Sequence, residues 1–402
     1  MGIRVLIFLS VVITIVGAAS VYVHRRAAHL ARLGPRGRLA LGAVFAGGIA
    51  VAVASRVLER RAPVSVLEPL GVIGFVITVG ACLSAVLLVI VDLASALAAS
   101  ATRVVAPPDA APPAAAARVS RREILVQVAT GSALAVGAGS SVYGTLFGRH
   151  DYIVEELAVP LAGLSPKLDG YTLVQLSDIH LGLFVGAPEM RAAEALVKRA
   201  RPDLLVITGD LIDHDAAYTG ALGALVRRLS PLARNGVVVV PGNHDYYTGV
   251  DRVVAACERA GALVLRNGGR VIGERGAGFA LLGVDDPAGT RHYEPGGAGP
   301  DLPAALAALP VAAEMPRVLL CHNPVYFFVA AGQVDLQLSG HTHGGQINLG
   351  VRPAKLVLGH SYIAGRYERA GSRLYVNRGF GTAGPPSRIG APPEVTRIVL
   401  TS

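Results

Sequence analysis

Residues able to hold a metal or move a proton recur at the ends of short apolar runs. The run 237–240 is four valines, and Pro241-Gly242-Asn243-His244-Asp245 follows it directly. Four β-branched residues favour a buried strand, and Pro then Gly stops the strand and turns the chain. An amide, an imidazole and a carboxylate thus arrive together where α/β sheets present chemistry, at the carboxyl end of a strand. Alone, Gly-Asn-His-Asp reads equally well as a polar surface turn. The same design recurs four more times, however. Run 172–176 leads into Ser177-Asp178-Ile179-His180, 204–207 into Thr208-Gly209-Asp210, 318–320 into Cys321-His322-Asn323-Pro324, and 336–338 into Ser339-Gly340-His341-Thr342-His343. Chance explains one or two such endings, not five in order.

This ordered set resembles the calcineurin-like metallophosphoesterases, whose pattern runs D-x-H, G-D, G-N-H-D/E, H and G-H-x-H. All five blocks stand here, and the match covers roughly 173–400. Gly340-His341-Thr342-His343-Gly344-Gly345-Gln346, with Gly283-Val284-Asp285-Asp286 before it, looks like the membrane-anchored branch, often grouped with UDP-2,3-diacylglucosamine hydrolases. The resemblance implies a pair of packed mixed β-sheets flanked by helices. It also implies two divalent metal ions. One would take Asp178, His180, Asp210 and His343; the other would take Asp210, Asn243, His322 and His341. Asp210 would bridge them, because a carboxylate has two oxygens and puts negative charge between cations about 3.5–4 Å apart. A hydroxide bridging the metals would be the nucleophile, and the metals would hold phosphate oxygens as charge builds. Mixed nitrogen and oxygen ligands suit Mn, Fe, Zn or Co.

Several further residues acquire expected roles from the same resemblance. His244 faces the substrate and stabilises or protonates the leaving oxygen. Asp245 accepts a hydrogen bond from the other ring nitrogen of His244 and orients it, or else caps a helix. His214 matches no block of the pattern and reads, from its place in the chain, as a loop residue near the site that could contact substrate. Arg378 and Arg388, in Asn377-Arg378-Gly379-Phe380-Gly381 and Pro385-Pro386-Ser387-Arg388, resemble the family's closing loop and could bind a phosphate; a surface salt bridge is the alternative. His292 and His360 match no block and read as surface histidines.

The elements that must position these residues alternate strand and helix signals from Asp151 onward, the texture of an α/β layered domain. Apolar residues at helical spacing predict helices over 188–200, 221–232 and 250–260. A Gly-rich loop runs from Asp286 to Pro300 and could lie near substrate. No internal repeat is present.

Residues 1–150 have a different character. The 402-residue chain is 52% apolar and 16% charged, which points to membrane segments. Uncharged runs near 5–23, 39–55 and 70–91 are candidate spans within a transmembrane region 1–105. A Pro- and Ala-rich linker follows, within 106–122. Arg121-Arg122 then precede a weakly apolar stretch, 123–148. This resembles a twin-arginine export signal, with a fourth membrane helix as the alternative; either reading leaves both arginines in the cytoplasm.

Residues 1–150 hold 14 basic and 5 acidic side chains, whereas 151–402 hold 23 of each. The domain from 151 to 402 is therefore neutral, which argues against a broad nucleic-acid-binding surface. The first loop carries five arginines, the second three and the third four. Placing the first and third loops inside makes the protein multi-pass in the cell membrane, with its catalytic domain outside the cytoplasm. Cys82, Cys257 and Cys321 show no paired spacing, so no disulfide framework is expected, and Cys82 and Cys321 read as small buried residues.

The leading functional expectation is a membrane-anchored binuclear metal-dependent phosphohydrolase acting on a phosphodiester or pyrophosphate. A lipid-linked substrate, similar to a UDP-diacylglucosamine, is the natural guess for a tethered site. The rivals are a phosphodiesterase or phosphatase for soluble or cell-wall phosphoesters, and a metal-free scaffold.

Overall fold

The computed structural model describes residues 3–105, 120–274, 277–290, 299–309, 312, 314–348 and 361–402. His292, His360 and most of the expected linker and Gly-rich loop lie outside the described residues. The chain divides into two compact units, Met1–Phe147 and Gly148–Ser402.

The first unit is built from α1 (Ile3–Leu30), α2 (Pro35–Val57), α3 (Val64–Val105) and α4 (Arg121–Leu146). All four contain stretches long and apolar enough to cross a membrane. They extend beyond the apolar runs read from the sequence, because helical hydrogen bonding continues into flanking polar turns. Proline opens α2 at the first helical position, where its missing N–H costs nothing. Ser120 opens α4: its side chain accepts from Glu123 N at 3.2 Å, while the Glu123 carboxylate accepts from Ser120 N at 2.8 Å. The twin-arginine pair therefore sits in the first turn of a capped helix. Small residues let the helices approach closely. A Cβ on Gly137 would meet Ser84 N at 2.5 Å. The one acidic residue deep in α3, Asp92, is paired: Arg26 lies 2.9 Å away and Tyr22 donates to it at 2.6 Å. Cys82 is half-buried rather than buried, and all three cysteines are free.

The second unit stacks two six-stranded mixed sheets. Its strands are β1 (Ile153–Pro160), β2 (Thr172–Leu176), β3 (Leu204–Thr208), β4 (Val237–Val240), β5 (Leu263–Val264), β6 (Gly268–Glu274), β7 (Ala277–Gly283), β8 (Arg317–Leu320), β9 (Leu336–Ser339), β10 (Gly365–Arg369), β11 (Ser372–Val376) and β12 (Glu394–Thr401). One sheet runs β1-β12-β2-β3-β4-β5 and the other β10-β11-β9-β8-β7-β6. The strands that carry the polar endings, β2-β3-β4 and β8-β9, are mutually parallel within their sheets, so their carboxyl ends share an edge.

Alternation along the strands assigns the layers. Leu204 and Val206 point between the sheets with Val238, Val240, Val318, Leu320, Leu336 and Leu338. Leu205 and Ile207 point the other way, against α5 (Ala187–Ala200), α6 (Thr219–Leu229) and α8 (Val250–Arg259). Burial on both faces is why these strands read as unbroken apolar runs. Between β4 and α8 sits the six-residue helix α7 (Asn243–Thr248). On the far side, α9 (Leu302–Ala308) and the short α10 (Phe327–Ala330) follow β7 and β8. Helices expected over 188–200, 221–232 and 250–260 correspond to α5, α6 with a following 3₁₀ turn, and α8.

Candidate metal centre

The polar endings of β2, β3, β4, β8 and β9 converge at one edge of the stacked sheets. Fitting so many side chains around one point strains the backbone. Ten described non-glycine residues have positive φ, and five of them are Asp178, His180, Asp210, His341 and His343. Each such conformation costs on the order of 1–3 kcal/mol, so their concentration here marks a site that the surrounding packing holds in place. Close approach also demands glycine. A Cβ on Gly340 would lie 2.0 Å from Ser177 Oγ and 2.2 Å from Asp178 Oδ2.

Two groups of donor atoms result. In the first, His180 Nε2 and His343 Nε2 are 3.0 Å apart, and His343 Nε2 lies 3.4 Å from Asp178 Oδ1. In the second, His341 Nδ1 lies 2.8 Å from Asn243 Oδ1 and 3.2 Å from His322 Nε2, which is itself 3.2 Å from Asn243 Oδ1. Asp210 joins them. Its Oδ1 accepts from His244 N at 2.8 Å, which turns Oδ2 toward His322 Nε2 at 3.2 Å and His180 Nε2 at 3.6 Å. One oxygen thus faces both groups.

These residues fit divalent cations. Metal–nitrogen bonds are about 2.0–2.1 Å long, so two ligands of one ion stand roughly 3 Å apart, as these do. Second contacts fix which atoms are bare. His322 Nδ1 lies 2.7 Å from Thr208 O, to which it can only donate, leaving the Nε2 lone pair facing inward. Ser177 Oγ donates to Asp178 Oδ2 at 2.6 Å, and His341 N donates to Oδ1 at 2.9 Å. Where ring nitrogens and oxygens converge this closely in a site shielded from water, a cation among them would satisfy the lone pairs that no proton covers.

The electrostatics agree. Burial pushes the Asp210 carboxyl up, but His322, His244 and His180 outweigh it and hold the group well below the usual carboxylate range. Burial dominates at Asp178, whose carboxyl is pushed up, with the charge of Asp210 adding to it. Burial also lowers His343, helped by its neighbours His180 and Arg388.

His244 belongs to neither donor group. Its ring stands 4.7 Å from that of His180 and 5.4 Å from that of Tyr247. Its Nδ1 lies 2.5 Å from the backbone carbonyl of Asp213 and 3.5 Å from that residue's Oδ1. Burial opposes its charged form, yet Asp210 and Asp213 raise its pKa to about 9.

Of the two roles expected for Asp245, the carboxylate takes the one at a helix start and makes no bond to His244. Its Oδ2 accepts from Gly242 N at 2.8 Å, and its Oδ1 accepts from Leu211 N at 3.0 Å and Ile212 N at 3.3 Å. As the third residue of α7 it satisfies otherwise open N–H groups at the helix start, and so ties β3's loop to β4's. Burial and the nearby charge of Asp210 raise its pKa to about 7. The orienting residue is Asp213, which was not singled out in the sequence. Besides His244, its Oδ1 lies 3.6 Å from His180 Nδ1 and its Oδ2 lies 3.2 Å from His214 Nδ1. The available signal was its position three residues after Asp210.

The two closing-loop arginines are not placed to bind phosphate. Arg388 is 1% exposed. It donates to the carbonyls of Arg378 at 2.8 Å, Ala391 at 3.1 Å, Gly379 at 3.1 Å and Gly381 at 2.9 Å, and its Nη2 lies 3.2 Å from His343 Nδ1. Its task is to hold the closing loop beneath His343. Arg378 pairs with Glu394 and, at 2.7 Å, with Glu155. His214 is exposed, beside Asp213. Cys321 is buried and accepts no role in either donor group.

Comparisons with known proteins show the family. The family model described as calcineurin-like phosphoesterase matches residues 171–345. The chain is 34% identical over 280 residues to the Bos taurus "Transmembrane protein with metallophosphoesterase domain", covering 67% of this chain and 61% of that protein. It is 31% identical over 297 residues to the Bacillus subtilis (strain 168) "Uncharacterized metallophosphoesterase YkuE", covering 71% of this chain and 99% of that protein. It is 30% identical over 289 residues to the Escherichia coli (strain K12) "Phosphodiesterase YaeI", covering 70% and 99% respectively.

Proposed function

Since the chain belongs to the calcineurin-like phosphoesterase family, we propose that it is a membrane-anchored, metal-dependent hydrolase of phosphodiesters or pyrophosphates with two metals. The observation that carries this reading is the sharing of Asp210 Oδ2 between two donor groups, one buried and the other partly so. Asp178, His180, Asp210 and His343 would hold one ion, and Asp210, Asn243, His322 and His341 the other. Mn, Fe or Zn suits these donors. When bound, such a pair supplies Lewis acidity and neutralises charge on a phosphoryl group.

The chain's own residues do the rest. Asp213 holds His244 through Nδ1, which leaves Nε2 to serve the substrate. From there His244 can protonate the oxygen that departs from phosphorus, or stabilise its developing charge. Asp245 locks the turn that carries Asn243 and His244. The strained backbones of Asp178 and Asp210 keep the donors spaced before substrate arrives.

A tether of four apolar helices favours a substrate held in the membrane, such as a lipid-linked pyrophosphate. The Escherichia coli relative is named a phosphodiesterase; the second reading is a phosphodiesterase or phosphatase for soluble or cell-wall phosphoesters. Full-length protein supplied with Mn should be assayed against lipid pyrophosphates and simple diesters. Hydrolysis of lipid pyrophosphates alone supports the first reading and hydrolysis of simple diesters alone supports the second. No hydrolysis of any phosphoester, with metals bound, would refute the enzyme reading. A metal-free scaffold predicts no metal at all.

A further inference from the structure

Among the described residues of the Gly148–Ser402 unit, the large apolar side chains left exposed are Tyr247, Val325, Phe328 and Val329. Three of the four share one short segment. Val325, Phe328 and Val329 stand at i, i+3 and i+4, so they form one face of a helical turn. Pro324, Phe327 and Ala330 occupy the opposite face and are buried. The stretch 324–331, Pro-Val-Tyr-Phe-Phe-Val-Ala-Ala, has no charge. A helical turn that is apolar all round belongs either inside a protein or in a bilayer. Here only its inner side is inside the protein.

The surroundings of this face suit a lipid boundary. The exposed Arg369 guanidinium lies 4.9 Å over the Phe328 ring, and the Tyr362 ring lies 5.2 Å from it. The guanidinium itself rests on the ring, a cation–π contact that keeps a positive charge at the rim of the apolar face. The buried Tyr362 backs Phe328 from inside. Aromatic and arginine side chains together suit a membrane–water boundary.

We propose that Val325, Phe328 and Val329 insert into the headgroup and upper acyl region of the bilayer, with Arg369 meeting anionic lipid phosphates. The proposal rests on the reading that the N-terminal helices span the membrane. That tether also favours a lipid surface over a protein partner. Only residues 147–152 separate α4 from β1, so the bilayer is a permanent neighbour at high effective concentration and even weak insertion is populated. The first inserted residue, Val325, lies three residues after His322. Insertion would therefore bring the carboxyl end of β8, and the candidate metal ligand on it, to the lipid surface.

The chain has no tryptophan, which makes an introduced indole a clean reporter. Phe328→Trp is placed in the full-length protein, reconstituted in phosphatidylcholine vesicles with and without phosphatidylglycerol. Part of the acyl chains carries a nitroxide at a shallow position. The control is Arg234→Trp, an exposed site just before the amino end of β4. The expected result is blue-shifted, nitroxide-quenched emission from Phe328→Trp, unquenched emission from Arg234→Trp, and a gain in quenching with phosphatidylglycerol that Arg369→Gln removes. Protein that floats with vesicles while Phe328→Trp stays unquenched would overturn insertion but leave the anchoring intact. Blue-shifted yet unquenched emission would mean that protein covers this face. Equal quenching at both positions would also overturn the proposal. Failure to float would refute the anchoring and this inference together.

Discussion

Replacing His244 by alanine should separate holding metal from helping the leaving group. No atom of the His244 side chain belongs to either donor group; its ring only packs against that of His180, and its backbone N–H, which donates to Asp210 Oδ1, survives the substitution. The metal content of His244→Ala should therefore equal that of the parent. Turnover should not. A positioned acid contributes typically 10²–10⁴-fold, or about 2.7–5.4 kcal/mol of barrier at 1.36 kcal/mol per tenfold. The loss should be largest for a diester with an alkyl leaving group, which needs its proton, and smaller for nitrophenolate, which departs without one. The assay is kcat/KM on both diesters, with metal analysis of the same samples. Equal losses on the two substrates would refute the acid role and leave His244 as a binder of phosphate. Loss of metal would refute the division of the site itself.

Other substitutions test the remaining roles. Asp210→Asn removes the charge that faces both donor groups, so metal analysis should show both ions weakened; two tightly bound ions would refute the bridge. Adding Mn to chelated protein should raise Tm, since ligand at about 100 times its Kd stabilises by roughly 2.7 kcal/mol; an unchanged Tm with intact fold would count against a metal centre. Arg388→Met strands the backbone carbonyls of Arg378, Gly381 and Ala391, which the guanidinium now satisfies, whereas Gly379 O keeps its bond from Glu394 N. At about 1–3 kcal/mol per buried unsatisfied group, the catalytic unit should melt several degrees lower. A normal Tm with a raised KM would instead restore Arg388 as a substrate contact. For topology, a reporter active only outside the cytoplasm should be silent when fused near Ala110 and active near Asp151; the reverse would place the catalytic unit inside.

Most of the site's chemistry was legible in the chain. Unbroken β-branched runs such as Val237–Val240 read as buried strands, and each ran directly into its polar residues, so donor types and order followed from local pattern; burial on both faces came from the structure. The apolar helices and their arginine-rich borders were legible for a similar reason, since spanning length and loop charge are properties of contiguous residues. What tertiary structure decided was partnership across the sheet edge. Asp245 is next to His244 in the chain, yet at the start of a helix its carboxylate is drawn back to the N–H groups of Gly242, Leu211 and Ile212. Asp213, 31 residues before His244, supplies the contact instead. Arg388 is as polar in sequence as any phosphate-binding arginine. Only the fold shows it buried against four carbonyls of the closing loop. Adjacency along the chain sets which residues arrive together. Which atoms face one another depends on backbone angles such as the left-handed turns at Asp178 and Asp210, and only the packing of distant strands makes those tolerable.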